Sequence, residues 1–552
     1  MEKRLTILLL LMVLLLGTFA LHSSDREGSQ AKAADGLASA PWPMEARDAQ
    51  HSGRSPYSGP QVPYLKWTYK AGGGIYHSPL IAADGTIYFG TDDSLYAIDP
   101  DGALKWRYEL EKEEFFCPDS LALGIDGTIY FGFYETVTTV EPGGIIGTHP
   151  GDGKLCSLSP EGRFKWSYDC GIMEAPIIIG DDGTIYLSAS ISEGAIFYLY
   201  ALNPDGSLRW RHEVEAWLDH FVLGHDGTIY FTLYNGNQLY ALNPDGTFKR
   251  SYVMDGLVGY PVVGDDDTVY FCLWGDGEGT GSLNALRPDG SFKWRYNKYQ
   301  EEGVFLGGQP AIAADGTVYI YGTYFKDGMG GQECFPLILA LDPSGNVRWT
   351  CPLDSFLVAT KPAVDREGTI YFCSGGRLCA INPEGTMAWT YQTGEELLYA
   401  PVIGSDGTIY FGSTEGTLYA IADLPQSPPP EAEFSIDIAE ARAGEKVRFT
   451  NSSTGLITSL WWDFGDGVRL EQRDPTQGAE GKAYHTYLDE GSYTVSLIVS
   501  NPWGSGTMSK NINVVEYVVS QGDRISLWIW VVIGLAGALL GGIMIRRYLM
   551  AK

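Results

Sequence analysis

Basic residues are scarce in this chain. Lys and Arg number 38 against 68 Asp and Glu, a formal net charge of −30 over 552 residues. A surface so short of positive charge excludes a phosphate-tracking nucleic-acid protein and disfavours docking on anionic lipid. Catalytic signatures are missing too. No GxSxG, HExxH or GxxxxGK[ST] occurs, which leaves serine-hydrolase, zinc-peptidase and P-loop chemistry without a motif. The eight histidines are scattered, and the near neighbours His220 and His225 read as ordinary strand or loop positions. No cysteine precedes Cys117, so no lipid-attached N-terminus is expected. Charged residues make up only 19%, whereas Gly reaches 69 and Tyr 34, the profile of a turn-rich β chain.

Long apolar runs occur twice. "LTILLLLMVLLLGTFAL", Leu5 to Leu21, follows Lys3 and Arg4 and reads as a secretory signal at 1–20, cleaved after Ala20 or, as a second choice, after Ala33. "ISLWIWVVIGLAGALLGGIMI", Ile525 to Ile545, holds 21 uncharged residues, enough at ~1.5 Å each to cross a ~30 Å hydrocarbon core. Trp528 and Trp530 lie near its start, and Arg546, Arg547 and Lys552 follow it. The positive-inside rule therefore places a tail of 546–552 in the cytoplasm and the rest outside. Gly537 and Gly541 form a GxxxG that can support a weak dimer.

Between these runs the sequence repeats. "DGTIYFG" at Asp84 returns at Asp126, Asp182, Asp226, Asp266, Asp315, Glu367 and Asp406 with small changes, at spacings of 39 to 56 residues. A second motif of the type "LYALNPDGSLRW", Leu199 to Trp210, follows most copies. A recurring period near 45 residues means stacked or circular repeats. Each unit reads as four short strands joined through Asp-Gly and Pro-Asp-Gly turns. Pro presets the first turn position and Gly accepts positive φ, so the motif is turn chemistry and nothing in it requires catalysis.

The ends of the array fix its shape. The eighth unit stops at "LYAIADLP", Leu418 to Pro425, without its Trp strand, while an unpaired "LKWTY", Leu65 to Tyr69, precedes the first. Closing a ring with that segment leaves no open junction. The expectation is an all-β chain: a lead-in at 21–61, an eight-bladed β-propeller at 62–424, and a Pro-rich linker at 425–430. The repeats resemble the pyrroloquinoline-quinone-type propeller repeats of quinoprotein dehydrogenases and of the BamB family of outer-membrane assembly scaffolds. The lead-in "PWPMEARDAQHSGRSPYSGP", Pro41 to Pro60, is similar to the opening of many such proteins. The enzymatic members carry adjacent cysteines beside the quinone. No Cys-Cys pair exists here, so neither that cofactor nor any other is expected, calcium being the one compatible ion.

Candidate sites follow from strand order. Both short turns of each unit share one face, and the other carries all the length variation: Tyr134 to Lys154, Trp274 to Ser282 and Tyr321 to Pro336. Variable loops on a rigid scaffold are the usual place for recognition. "GDGEG" offers Asp276 and Glu278 to calcium without a complete ligand set. A three-residue loop in "YFCSGGRLC" would set Cys373 opposite Cys379, close enough for a disulfide or simple packing.

A second domain is expected at 431–516. "WDFGDG", Trp462 to Gly467, and "HTYLDEGSYTVSLIVSN", His485 to Asn501, resemble the PKD family, an immunoglobulin-like β-sandwich. Asp463 and Asp466 there read as turn formers, with metal binding the sharper alternative. A juxtamembrane stretch at 517–524 leads to the helix. The functional expectation is a membrane-anchored extracytoplasmic scaffold presenting a propeller loop face to a protein or glycan. A quinone-dependent dehydrogenase, a glycan-active propeller enzyme and a BamB-like envelope assembly factor are the alternatives.

Overall fold

The computed structural model describes residues 40–516, without 112–113, 141–145, 174, 192–195, 276–280, 298–302, 326–333, 354–360 and 473–480. The signal and anchor stretches, Gly537, Gly541, Asp276 and Glu278 lie outside the described residues. No helix of the described residues is long and apolar enough to cross a membrane. The chain divides into two compact units after Leu424.

The first unit holds eight antiparallel sheets, each the blade of a propeller. Blade 1 is built from Leu80–Ile81, Ile87–Gly90, Ser94–Ile98 and Leu104–Glu109 in spatial order, inner strand to outer. Its second and third strands are wholly buried, because neighbouring sheets cover both faces. Its outer strand alternates exposed and half-buried positions. That difference explains why "TIYFG" and "LYAI" are continuously apolar while the Trp strand alternates.

The ring closes as its ends predict. Pro63–Lys70 supplies the outer strand of blade 8, with Leu65 opposite Ile421 and Tyr69 opposite Leu418. Neighbouring blades are then stitched by one repeated contact. Trp106 Nε1 donates to the Pro160 carbonyl at 2.8 Å, and Trp67 Nε1 to that of Pro100 at 2.9 Å across the closure. Trp389 of blade 7 donates to Pro60 at 2.9 Å, so the lead-in stands in for the turn that blade 8 lacks. The glycine of each Pro-Asp-Gly turn is needed twice over. Gly102 sits at φ 90°, and a Cβ there would fall 2.7 Å from the Trp67 ring. One joint differs: Arg250 occupies the Trp slot of blade 4 and donates to the Asp289 carbonyl at 3.2 Å.

The lead-in closes the axis. The N–H groups of Ile81, Leu123, Leu223, Val263, Ile312 and Val364 donate to carbonyls of Trp42, Pro43, Ala49, Gln50, Ser52 and Gly53 at 2.7–3.0 Å. Each donor lies three residues before the acidic residue of its Asp-Gly-type turn, so the segment coils across six inner strands at the turn end. This tight coil holds Ala46, Arg47, His51 and Gly53 at positive φ. Strain of order 1 kcal/mol for each non-glycine residue is offset by the backbone bonds it permits.

The second unit is a β-sandwich. Phe434–Ile436, Lys446–Asn451 and Lys482–Thr486 form one sheet; Glu440–Arg442, Gly504–Val515, Gly491–Asn501, Ser459–Asp463 and Arg469–Gln472 form the other. Trp462 is buried at its centre, with ring centroids 5.1 Å from Phe434 and 5.7 Å from Phe449.

Candidate functional site

Three places in the propeller concentrate side-chain chemistry: the turn end, the axis and the loop end.

At the turn end, the repeated Asp is architectural. Asp84 accepts the Thr86 N–H at 2.9 Å and the Lys105 ammonium at 3.1 Å, closing the turn against the outer strand. Asp126 with Lys165, Asp182 with Arg209, Asp226 with Lys249, Asp266 with Lys293, Asp315 with Arg348 and Asp406 with Lys66 repeat the pair. Burial alone would raise the Asp84 carboxyl, but hydrogen bonds from Thr86 and Lys105 hold it below its ordinary value. His225 belongs to this end, its Nδ1 3.0 Å from Asp267, which replaces the turn glycine of blade 5 at φ 57°.

In the axis, the residue six positions before the acidic residue of each Asp-Gly-type turn, within or just before the inner strand, forms a layer. His220, Tyr260, Gln309 and Lys361 occupy that slot in blades 4 to 7, where blades 8 and 1 have Ala400 and Ser78. Gln309 Nε2 lies 3.1 Å from His51 Nδ1, the Lys361 ammonium donates to the His51 carbonyl, and the His220 and Tyr260 rings meet at 4.1 Å. Burial pushes the Lys361 ammonium down to about 7 against the opposing charges of Glu45 and Asp48. Burial likewise lowers His51, with Lys361 and His220 adding to the effect. His220 is, as expected, a strand position: it lies within Leu218–Leu223 opposite Thr232, and that inner strand brings it to the axis. A signal for this layer stood in the sequence: three of the four residues precede a proline, in Tyr260-Pro261, Gln309-Pro310 and Lys361-Pro362.

The loop end carries the length variation. The Tyr134–Lys154 insertion is a continuation of blade 2, with Ile129–Val140 pairing against Ile146–Leu158. Strands of 12 and 13 residues, where blade 1 has 4 and 5, extend it by roughly 25 Å at ~3.3 Å per residue. Blade 6 behaves alike, with Val318–Phe325 against Cys334–Leu341. Aromatic pairs with at least one exposed ring mark alternate blades. Phe115 and Tyr134 stack at 6.0 Å, Trp217 and Tyr234 meet at 6.1 Å, and Tyr324 and Phe335 at 6.2 Å. Trp217 is 46% and Tyr234 61% exposed. The turn-end rim also exposes rings, including Phe164 at 56% and Phe248 at 58%, each at the first position of its own blade's outer strand.

A cavity of about 260 Å³ opens at this end, lined by Tyr76, His77, Thr91, Asp92, Phe116 and Tyr399 together with Gly90. His77 is buried. Its Nε2 accepts the Gly90 N–H at 2.7 Å and its Nδ1 lies 3.0 Å from the Ser78 carbonyl, so both nitrogens are used by a neutral ring. Burial lowers its pKa accordingly. Phe116 stacks on it at 5.4 Å, and the Phe116 N–H donates to the Asp92 carbonyl at 3.0 Å. Burial, then the neighbouring Asp93, raises the Asp92 carboxyl.

The remaining expected residues fall elsewhere. Cys373 faces Leu378 and Cys379 faces Phe372, so the two side chains project from opposite faces of the hairpin and no disulfide joins them. The reason is loop length. Gly375 and Gly376, at φ 56° and 76°, make a two-residue turn where three were expected, and a one-residue change inverts a strand's faces. Asp463 accepts the Gly465 N–H at 3.0 Å and Arg469 Nε at 2.9 Å. Asp466 accepts the Val468 N–H at 3.1 Å and lies 2.6 Å from His485 Nε2. Both carboxylates thus close turns, Asp463 against Arg469 and Asp466 against His485. Among the described residues no group of three or more acidic, His or Cys side chains is placed to hold a metal.

Comparison with known proteins agrees with this architecture. Residues 195–422 match the family described as outer membrane protein assembly factor BamB, and 435–514 match the PKD domain. BamB from Moraxella catarrhalis is similar at 15% identity, covering 65% of this chain and all of that one with a TM-score of 0.47. Virginiamycin B lyase from Staphylococcus aureus is similar at 13% identity, covering 66% of this chain and all of that one with a TM-score of 0.37. A microbial collagenase of Vibrio alginolyticus is 36% identical over 70 residues, 12% of this chain. The chain spans 8% of the length of that curated relative. From fold and repeats together, the chain carries a propeller of the BamB-like, pyrroloquinoline-quinone-repeat type followed by a PKD domain.

Proposed function

We propose that this protein is an extracytoplasmic recognition scaffold whose propeller loop end captures a protein or glycan. The observation that carries the reading is the asymmetry of the two ends. One is sealed by the lead-in coil and a ring of short, ion-paired turns. The other holds the extended hairpins, the partly exposed aromatic pairs and the cavity. Paired rings give large contact area at low entropic cost, as recognition surfaces require. The apolar run at 1–20 serves as the export signal, 525–545 as a single anchor, and the PKD domain as a spacer. Full-length protein in maltoside detergent, applied to glycan and extracellular-protein arrays, tests the reading. Saturable capture that Trp217→Ala/Tyr234→Ala weakens at least tenfold is expected, a change of about 1.4 kcal/mol. Capture indifferent to both rings would overturn it.

A further inference from the structure

The loop-end cavity has a composition that selects for charge. Its walls include three aromatic side chains, Tyr76, Phe116 and Tyr399, and one carboxylate, Asp92. Among the described residues no lysine or arginine lines it. Arg107, on the outer strand of the same blade, is engaged elsewhere: it lies 3.7 Å from Asp93 and 3.2 Å from Glu109. Asp92 forms no ion pair among the described residues. His77 cannot supply positive charge, because its Nε2 lone pair accepts the Gly90 N–H and a second proton there would meet that donor.

The cavity also depends on a missing side chain. A Cβ on Gly90 would lie 2.8 Å from His77 Nε2 and 3.0 Å from the Phe116 ring. Glycine here lets His77 and Phe116 close together over the strand as part of the wall.

We propose that this pocket binds a methylated ammonium group, with Tyr76, Phe116 and Tyr399 supplying the aromatic surface and Asp92 the counter-charge. A cation is favoured by ring quadrupoles and by a nearby carboxylate, and most strongly where water is partly excluded. Methyl groups match apolar walls and need no hydrogen-bond acceptor, whereas a primary ammonium would need three. An anion meets Asp92, Asp93 and a protein of net charge −30. The cavity, about 260 Å³, lies just under the ~300 Å³ at which small-molecule pockets begin, which suits a headgroup better than a large ligand.

This inference rests on the loop end being the recognition surface, and its test separates the two. Calorimetry on full-length protein in maltoside detergent compares tetramethylammonium and choline with the neutral isostere 3,3-dimethylbutanol. Both cations are expected to bind at least tenfold tighter than the alcohol. Asp92→Asn is expected to erase that preference while leaving the melting temperature within a degree or two, since Asp92 is exposed. Tyr399→Ala is expected to weaken both cations. Choline and glycerophosphocholine, run side by side, distinguish a free solute from a lipid headgroup. Equal binding of cation and alcohol, absence of saturable cation binding into the tens of millimolar, or an unchanged preference in Asp92→Asn would each overturn the proposal. Array capture that survives in Asp92→Asn would show the wider face at work without this pocket.

Discussion

The two ends of the propeller are built from the same strands and behave as opposites. At the turn end every unit repeats one solution: an acidic residue closing its turn, in seven blades a lysine or arginine on that carboxylate, and for most joints a Trp on the next glycine. At the loop end hardly any two blades agree in length or in exposed residues. Uniformity is what a closed ring demands of its joints, because each blade must meet its neighbour at the same angle. Variation is tolerated only where no joint depends on it. The difference between the ends is therefore one between chemistry fixed by closure and chemistry left to recognition.

Substitutions can break this contrast, and their effects should rank. The largest belongs to the closure. A chain beginning after Tyr69 loses both the axial coil and the outer strand of blade 8. Its melting temperature should fall by roughly 10 °C or more, several kcal/mol at about 2–4 °C each. A melt unchanged by that truncation would show the ring to be held some other way.

Next come the glycines. Gly102→Ala at the turn end meets both a positive φ and the Trp67 ring, while Gly394→Ala at the loop end, φ 82°, has nothing within 4 Å of its new Cβ. The first should cost about 2–4 kcal/mol and the second about 1, read by chemical denaturation. Equal costs would mean that the Trp joint contributes nothing.

Acid should then act on the turn end before the loop end. The turn carboxylates, Asp84 and Asp126 among them, are held below their ordinary values by Thr, Lys and Arg partners once burial is overcome. A depressed folded pKa gives stability that is complete above the unfolded value near ~3.9 and is lost as pH falls through the folded values. Asp92 is raised instead and gives no such gain. Stability should therefore decline below about pH 4, and Asp84→Asn/Asp126→Asn should flatten the decline, whereas Asp92→Asn, which removes a contribution of opposite sign, should not flatten it.

How much of this was legible in the sequence follows the same divide. The turn end was readable because its chemistry is local: Asp-Gly and Pro-Asp-Gly announce their turns, and the orphaned "LKWTY" announces the closure. The axial coil was not readable. Its six backbone bonds reach from Trp42–Gly53 to strands up to three hundred residues away, and carbonyl groups leave no trace in residue identity. The Cys373 hairpin failed for a finer reason, since "SGG" supports a two- or a three-residue turn and only the register decides which face each thiol takes. The cavity was invisible because Tyr76 and Asp92 of blade 1, Phe116 of blade 2 and Tyr399 ahead of the inner strand of blade 8 are brought together only by the ring.

One measurement bears most directly on the claim that recognition belongs to the variable end. Trp217→Ala/Tyr234→Ala at the loop end and Phe164→Ala/Phe248→Ala at the turn end remove two rings of similar exposure each. Captured ligand is measured for both variants and the parent on the same arrays. Capture should fall at least tenfold in the first variant and stay within twofold of the parent in the second. Loss confined to the turn-end variant would contradict the account and move the binding surface to the opposite face.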